Sequence, residues 1–153
     1  MKKNKTIWLG LLPGLLTLLL DRLTKKALFG RNRMLLPGVI RITSARNTGM
    51  ALGLMPNSAW AVLLLSALLL GLCIWLLRGM RLSGMAAAGV SLMAGGALGN
   101  LIDRAALGYV RDLFELLFVK FYIFNIADVG VVAGAVLCSV SLLWRPQDWS
   151  RRC

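Results

Sequence analysis

The sequence contains four long, predominantly apolar runs separated by polar connections. They lie at about 7–29, 59–77, 85–104 and 124–144. A helix needs about 20 mostly apolar residues to cross the hydrocarbon core of a bilayer, so each run is long enough to span a membrane. Only 16% of the residues are charged, whereas a soluble domain has about 25%. The sequence therefore predicts one all-α integral membrane domain over 1–153 with four transmembrane helices.

Two of the connections are long enough to carry structure of their own. The first, 30–58, contains several glycines and two prolines, Pro37 and Pro56, which disfavour a long helix. Within it, the segment 38–43 alternates weakly between apolar and polar residues, as a half-buried strand does. The second connection, 106–123, mixes apolar and charged residues. We therefore expect a small sheet at the membrane surface, in the loop between helices one and two.

The residue inventory excludes several kinds of catalytic site. The chain has no histidine, which excludes a Ser-His-Asp triad, a Cys-His pair and an H-E-x-x-H zinc site. Cys73, Cys138 and Cys153 are far apart in the sequence and lack the spacing of metal ligands. We therefore expect neither a metal nor a cofactor.

The chain is strongly basic, with 18 lysines and arginines, 6 acidic residues and a formal net charge of +12. The basic residues lie in loops and at the ends of apolar runs. Anionic membrane phospholipids are therefore their expected partners, and nucleic acid is not. The basic residues divide almost evenly between the two sides of the predicted bundle, so charge counting does not fix its orientation.

Five of the six acidic residues are expected at one end of the bundle. In a four-span protein, odd helices end where even helices begin. The five acids at this end are Asp21, Asp103, Asp112, Glu115 and Asp128. Only Asp148 falls at the other end. Glu115 and Asp148 fit solvated acids, whereas the other four are candidates for function.

These candidates have polar neighbours at helical spacing. Asn100, Asp103 and Arg104 share one side of a predicted helix. Asn125 and Asp128 are three residues apart, and Asp21 is four residues before Lys25, a spacing that a simple ion pair also explains. An ionisable group within a span costs about 2.5–3.5 kcal/mol on insertion scales, so such residues are functional candidates by default.

Two aspartates at hydrogen-bonding distance share one proton and can hold a water between them. Such a pair can hydrolyse a peptide without histidine, metal or cofactor. A Ser-Lys pair is the other histidine-free option, but Ser44 and Ser58 have no lysine at an informative spacing. Two other classes stay open: a small proton- or ion-coupled transporter that uses the same aspartates as a relay, and a purely structural subunit.

Five sequence blocks resemble the lipoprotein signal peptidases (signal peptidase II), a family of four-helix aspartic proteases of bacterial inner membranes. The blocks are D-R-L-T-K at Asp21–Lys25, R-N-T-G-M-A-L-G at Arg46–Gly53, G-G-A-L-G-N-L-I-D-R at Gly95–Arg104, V-R-D-L at Val110–Leu113 and F-N-I-A-D at Phe124–Asp128. They follow the family's order and spacing over about two thirds of the chain.

The resemblance implies roles for ten residues. Asp112 and Asp128 match the catalytic pair of the family. The residues that match its substrate-binding or site-bracing positions are Asp21, Lys25, Asn47, Gly49, Asn100, Asp103, Arg104 and Asn125. The family removes signal peptides from prolipoproteins, cutting just before a diacylglyceryl-cysteine, and this substrate is the partner that the resemblance implies.

The resemblance also implies a place in the cell. It predicts a multi-pass protein of the bacterial inner membrane, with both termini in the cytoplasm, an active site near the outer leaflet and an extracytoplasmic β-type cradle. We expect a monomer. The sequence departs from the usual family pattern at Leu52, at Leu113 with Phe114, and at Val129, which bears on the shape of the pocket.

Overall fold

The computed structural model describes residues 2–49 and 58–151. One short 3₁₀ helix, Pro146–Asp148, lies near the end of the described residues, and four α-helices and five short strands form most of the rest. In chain order they are α1 (Lys2–Leu28), β1 (Arg33–Leu36), β2 (Ile40–Asn47), α2 (Ala59–Leu77), β3 (Met80–Leu82), α3 (Gly84–Leu107), β4 (Val110–Leu116), α4 (Ile126–Trp144) and β5 (Trp149–Arg151). The chain is thus mostly helical with small antiparallel sheets, as the sequence predicts.

Three of the described helices are long and apolar enough to cross a membrane. These segments are Trp60–Leu77, Gly84–Leu107 and Ile126–Trp144. Helix α1 has 27 residues and combines an apolar run that ends at Leu20 with Asp21, Arg22 and two lysines that follow it.

Helix α3 lies at the centre of the bundle, where it packs against α1 and α4. Small residues allow these close approaches. A Cβ on Gly95 would collide with the Gly14 carbonyl of α1, and one on Gly96 would collide with the Ala127 carbonyl of α4. The Gly14 backbone N–H also donates to the Ser91 hydroxyl, at 2.9 Å. The small residues of the Gly95-x-x-x-Gly99 segment therefore allow a close helix contact.

The loop between α1 and α2 contributes two strands to a three-stranded antiparallel sheet with the order β1-β2-β4. The predicted strand at 38–43 corresponds to the β1–β2 turn and the first half of β2. The third strand, β4, lies in the second long connection, 106–123, for which the sequence predicts a loop. Ala45 of β2 faces Asp112 of β4 in the register, so pairing of distant segments fixes the position of this acid.

The last residues before α4 continue this arrangement. Phe124 forms an isolated bridge with Phe114 of β4, and its carbonyl accepts from the Leu113 N–H at 2.9 Å. The chain then enters α4 directly through Asn125. This connection holds the start of α4 beside the strand that carries Asp112.

Asp148 lies at the opposite end of the bundle, where β3 pairs with β5. The expectation that Asp148 is solvated is wrong, because it is only 7% exposed. Its carboxylate accepts from the Ser83 hydroxyl and the Met85 N–H, both at 3.1 Å. It therefore satisfies a free N–H at the start of α3, where a helix favours negative charge.

Glu115 is partly exposed on the three-stranded sheet. It forms an ion pair with Arg41 at 2.8 Å and accepts from the Thr43 hydroxyl at the same distance. The pKa of Glu115 is lowered by these hydrogen bonds, first by that from Arg41. Glu115 is thus a surface acid with a fixed partner, outside the buried network described next.

Candidate active site

Asp128 is held by the start of α4. Asn125 is the N-cap, and its side-chain oxygen accepts from the Asp128 N–H at 3.0 Å. The Asp128 carboxylate in turn accepts from the Asn125 N–H at 3.1 Å. This reciprocal capping box satisfies two free N–H groups at the helix end and fixes the direction of the Asp128 side chain.

The same asparagine also contacts the second carboxylate. The Asn125 amide nitrogen donates to Asp112 Oδ1 at 2.7 Å and to Asn100 Oδ1 at 3.2 Å. Asn125 is completely buried and Asp112 is 4% exposed. One side chain therefore links the strand that carries Asp112 to the helix that carries Asp128.

Two further amides donate to the carboxylates. Asn47 donates to Asp112 Oδ2 at 3.1 Å, and Asn100 donates to Asp128 Oδ1 at 2.7 Å. Asn47 is itself oriented by the Gly49 N–H, which donates to its side-chain oxygen at 3.0 Å. Among the described residues, neither Asp112 nor Asp128 forms an ion pair within 4.0 Å.

The pKa of Asp112 is raised to about 7. Burial is the largest cause, followed by the negative charge of Asp128, while the hydrogen bonds from Asn125 and Asn47 oppose the shift. Two neighbouring carboxylates that cannot both ionise easily retain one proton between them. Near neutral pH, this arrangement offers both a proton acceptor and a proton donor.

A buried ionic cluster lies behind the pair. Its acids, Asp21 and Asp103, are both completely buried. Arg22 contacts both acids at 2.8 Å, and Lys25 contacts them at 3.0 and 3.1 Å. Arg111 donates to Asp103 at 2.7 Å. The predicted ion pair between Asp21 and Lys25 is thus present, as part of a larger cluster.

This cluster is hydrogen-bonded to Asn100, which contacts Asp128, and to the first turn of α4. Lys25 donates to Asn100 Oδ1 at 3.1 Å, and Asn100 contacts Asp128. Asp21 accepts from the Ala127 N–H in the first turn of α4, at 3.1 Å. Helices α1, α3 and α4 are therefore held together at this end by polar contacts.

Arg104 lies at the edge of the same network. Its guanidinium donates to the Gly49 carbonyl at 3.1 Å, while its Nε is buried and has no partner among the described residues. The negative charges of Asp128, Asp112 and Asp103 all act on it. Arg104 thus brings positive charge to the rim of the site without an ion pair in the described structure.

All ten predicted residues lie in the described parts of the chain, and hydrogen bonds or ion pairs connect them into one network. Sequence reasoning missed Arg22 and Arg111. Each follows or precedes an acid in a quoted block, and burial of Asp21 and Asp103 requires compensating cations. The arginines next to the acids in the quoted family blocks are therefore the sequence signal that points to Arg22 and Arg111.

Of the residues that depart from the family pattern, Leu52 lies outside the described residues. Leu113 is completely buried, and Val129 is 47% exposed on α4. Within the described residues, no group of three His, Cys, Asp or Glu side chains converges as a metal site does.

Comparison with known proteins gives a consistent result. The family profile described as "Signal peptidase (SPase) II" matches residues 14–144. A lipoprotein signal peptidase of Lactiplantibacillus plantarum is 32% identical, over 90% of this chain and 95% of that protein. One of Thermosynechococcus vestitus is 35% identical, over 95% of each.

Solved structures show the same fold. Two structures described as bacterial membrane enzymes superpose with TM-scores of 0.78 and 0.72. The first structure is 27% identical, and the match covers 88% of this chain and 87% of that chain. The second is 26% identical, and the match covers 89% of this chain and 93% of that chain. The profile and the relatives cover most of the chain, and the chain therefore belongs to the signal peptidase II family and is an aspartic peptidase.

Proposed function

We propose that the protein removes the signal peptide from lipid-modified prolipoproteins, cutting before the diacylglyceryl-cysteine with a water activated by Asp112 and Asp128. The observation that carries this proposal is the position of Asn125, which contacts both carboxylates. The relatives named lipoprotein signal peptidase support the choice of substrate.

The proposed reaction starts with the shared proton on Asp112, whose pKa of about 7 keeps it mostly protonated in weakly acidic solution and about half protonated at pH 7. Ionised Asp128 takes a proton from water as the water oxygen attacks the scissile carbonyl carbon. Asp112 donates its proton to the carbonyl oxygen, which gives a neutral tetrahedral diol. Asp128 then protonates the leaving nitrogen, the C–N bond breaks, and one diol hydroxyl returns a proton to Asp112. Both carboxyl groups thereby recover their starting states.

The surrounding amides are suited to this exchange. Asn47, Asn100 and Asn125 donate to the carboxylates but carry no charge. They can therefore orient the oxygens without trapping either carboxylate in its ionised form, as a directly paired cation would.

The placement in the membrane is part of the proposal. We infer four membrane spans in a monomer of the bacterial inner membrane, with both termini in the cytoplasm and the acidic end near the outer leaflet. Exposed leucines along α1 and α2 support lipid contact, for example Leu15 at 57% and Leu64 at 68%. The three-stranded sheet then lies against the phospholipid headgroups as an extracytoplasmic cradle.

A proton- or ion-coupled transporter would need ionisable groups along the depth of the bilayer. From Thr6 to Leu20, from Ala59 to Leu77 and from Val129 to Trp144, the sequence contains no acidic or basic residue. The acids lie at the ends of the helices instead, which favours a reaction site at one surface. Proton flux through liposomes that contain the protein, abolished by Asp128→Asn, would favour the transporter.

The direct test is cleavage of a purified precursor peptide, with and without the diacylglyceryl group, by the protein in lipid bilayers. We expect product only from the modified precursor, and none from Asp112→Asn or Asp128→Asn protein. Glu115→Gln is the matched control, because Glu115 lies on the same strand but outside the buried network. It should cleave at the wild-type rate.

Equal cleavage of the unmodified precursor would contradict the proposed substrate. Wild-type turnover by either aspartate variant would contradict the proposed mechanism.

A further inference from the structure

Lys25 is completely buried on α1, although a lysine ammonium strongly prefers water. Its Nζ contacts Asp21 at 3.0 Å, Asp103 at 3.1 Å and the side-chain oxygen of Asn100 at 3.1 Å. All three donors of the ammonium group therefore have partners. Two of these partners are acids of the ionic cluster, and the third is an amide that itself contacts Asp128.

The cluster has more positive charge than its own acids require. It contains two acids, Asp21 and Asp103, and three cations. Arg22 contacts both acids, and Arg111 contacts Asp103. Both acids thus keep a cationic partner without Lys25, and the cluster as a whole carries one surplus positive charge.

The third contact of Lys25 is directed toward the carboxylate pair. An ammonium group can only donate, so its partner on Asn100 must be the side-chain oxygen. Asn125 also donates to this oxygen, at 3.2 Å. With its oxygen held by two donors, Asn100 turns its amide nitrogen toward Asp128, to which it donates at 2.7 Å.

We propose that Lys25 is a positioning residue for the Asp112–Asp128 pair: it fixes the amide of Asn100 that donates to Asp128, and it places the surplus charge of the cluster beside the carboxylates. This inference deepens the proposed function and rests on it. The charged groups of the elements packed around the pair are Asp21, Arg22 and Lys25 of α1, Asp103 and Arg104 of α3, and Arg111 of β4, of which Arg22 and Arg111 contact Asp103.

The consequence of losing Lys25 follows from both parts of this role. Without the ammonium group, the Asn100 oxygen keeps only one donor, and the amide is free to rotate its oxygen toward Asp128. A carbonyl oxygen that faces a carboxylate repels its negative charge. Loss of the nearby positive charge acts in the same direction, so the pair holds its shared proton to higher pH.

The test is a pH titration of the aspartate carboxyl bands by infrared spectroscopy, on protein labelled with ¹³C at those carboxyl groups. The Asp112 signal is assigned by its loss in Asp112→Asn protein. In Lys25→Met protein, we expect the Asp112 midpoint to rise by about 1 pH unit from its wild-type value. The matched control is Lys26→Met, which removes the same charge from the next, exposed residue of α1. Its midpoint should move by less than about 0.3 unit because solvent screens that charge.

Lys25→Gln provides a second variant if Lys25→Met does not fold, because it keeps an amide donor and removes only the charge. An upward shift in either variant, absent from Lys26→Met, supports the proposal. A midpoint that moves by less than about 0.3 unit in the folded Lys25 variant, or by as much in Lys26→Met, overturns it.

This readout is distinct from a test of the proposed function, because the titration requires no turnover. The cleavage assay adds a second readout: the pH–rate profile of the Lys25 variant should move to higher pH, with kcat reduced more than KM is changed. An unchanged profile would contradict the positioning role even if the Asp112 and Asp128 variants are inactive, as the proposed function requires.

Discussion

At the residue scale, the site depends on a balance between burial and hydrogen bonding at Asp112. Burial and the charge of Asp128 raise the pKa of Asp112, while hydrogen bonds from Asn125 and Asn47 lower it. The result is a pKa of about 7, in the range where an acid can both hold and release a proton at physiological pH.

The raised pKa of Asp112 predicts that the stability of the protein depends on pH. A carboxyl group whose pKa is raised by folding, here from 3.8 to about 7, contributes stability that is present at low pH and lost as pH rises toward 7. Asp112→Asn removes this loss. We therefore predict that the Tm difference, variant minus wild type, becomes more positive between pH 5 and pH 8, because the wild type loses up to about 3 kcal/mol of stability over this range.

Thermal unfolding in detergent at both pH values measures this difference. Glu115→Gln is the control, because the pKa of Glu115 is lowered and its contribution is constant above pH 5. A Tm difference for Asp112→Asn that is the same at pH 5 and pH 8 would show that Asp112 titrates normally in the folded protein.

At the element scale, helix spacing was predictable from the sequence and strand pairing was not. Asp21 and Lys25 lie in one helix, and Asn125 is the N-cap of the helix that contains Asp128, so local spacing predicts that the members of each pair lie together. The sequence predicts a loop where β4 forms, because the partner strand β2 lies more than 60 residues earlier and no local pattern encodes that register. The contact between Asp112 and Asn47 depends on this pairing.

The contact between α1 and α3 is tight enough to be tested with a single methyl group. A Cβ at Gly95 would collide with the Gly14 carbonyl, which is a backbone group and cannot move away by a change of side-chain rotamer. We predict that Gly95→Ala separates the two helices, lowers the Tm and reduces cleavage, because Asp21 and Lys25 of α1 would move away from Asn100.

Gly71→Ala is the matched control, since a Cβ at Gly71 of α2 meets nothing within 4 Å in the described structure. Its Tm should equal that of the wild type or exceed it slightly. If Gly95→Ala and Gly71→Ala unfold at the same temperature, the close packing of α1 on α3 does not stabilise the protein.

At the scale of the whole molecule, the two ends of the bundle differ in chemistry. One end carries the carboxylate pair and the three-stranded sheet, and the other carries Asp148 and the β3–β5 pairing. Exposed Met34 and Leu36 give the sheet an apolar edge, with Arg31 and Arg33 close by in the chain. This combination suits the interface between headgroups and acyl chains.

We predict that the double variant Arg31→Glu/Arg33→Glu reduces cleavage roughly 30-fold in vesicles with anionic lipid, because each arginine near such a surface contributes about 1 kcal/mol, or about 2 kcal/mol for both. The loss should be much smaller in zwitterionic vesicles. Arg41 is a poorer candidate for lipid binding than its sequence position indicates, because its guanidinium is paired with Glu115.

Arg145→Glu, at an exposed position at the opposite end of the bundle, is the control for a general effect of charge reversal. Equal turnover by the double variant and the wild type in anionic vesicles would count against lipid binding by this edge of the sheet.

The central claim is that Asp112 and Asp128 act as one unit on one water. Single-turnover cleavage of the diacylglyceryl-modified precursor by Asp112→Asn, Asp128→Asn and the double variant measures this directly. If the two carboxylates act together, each single variant loses almost all of the rate, and the double variant is no slower than either one. Independent effects that multiply in the double variant, or a single variant that cleaves at the wild-type rate, would contradict the claim.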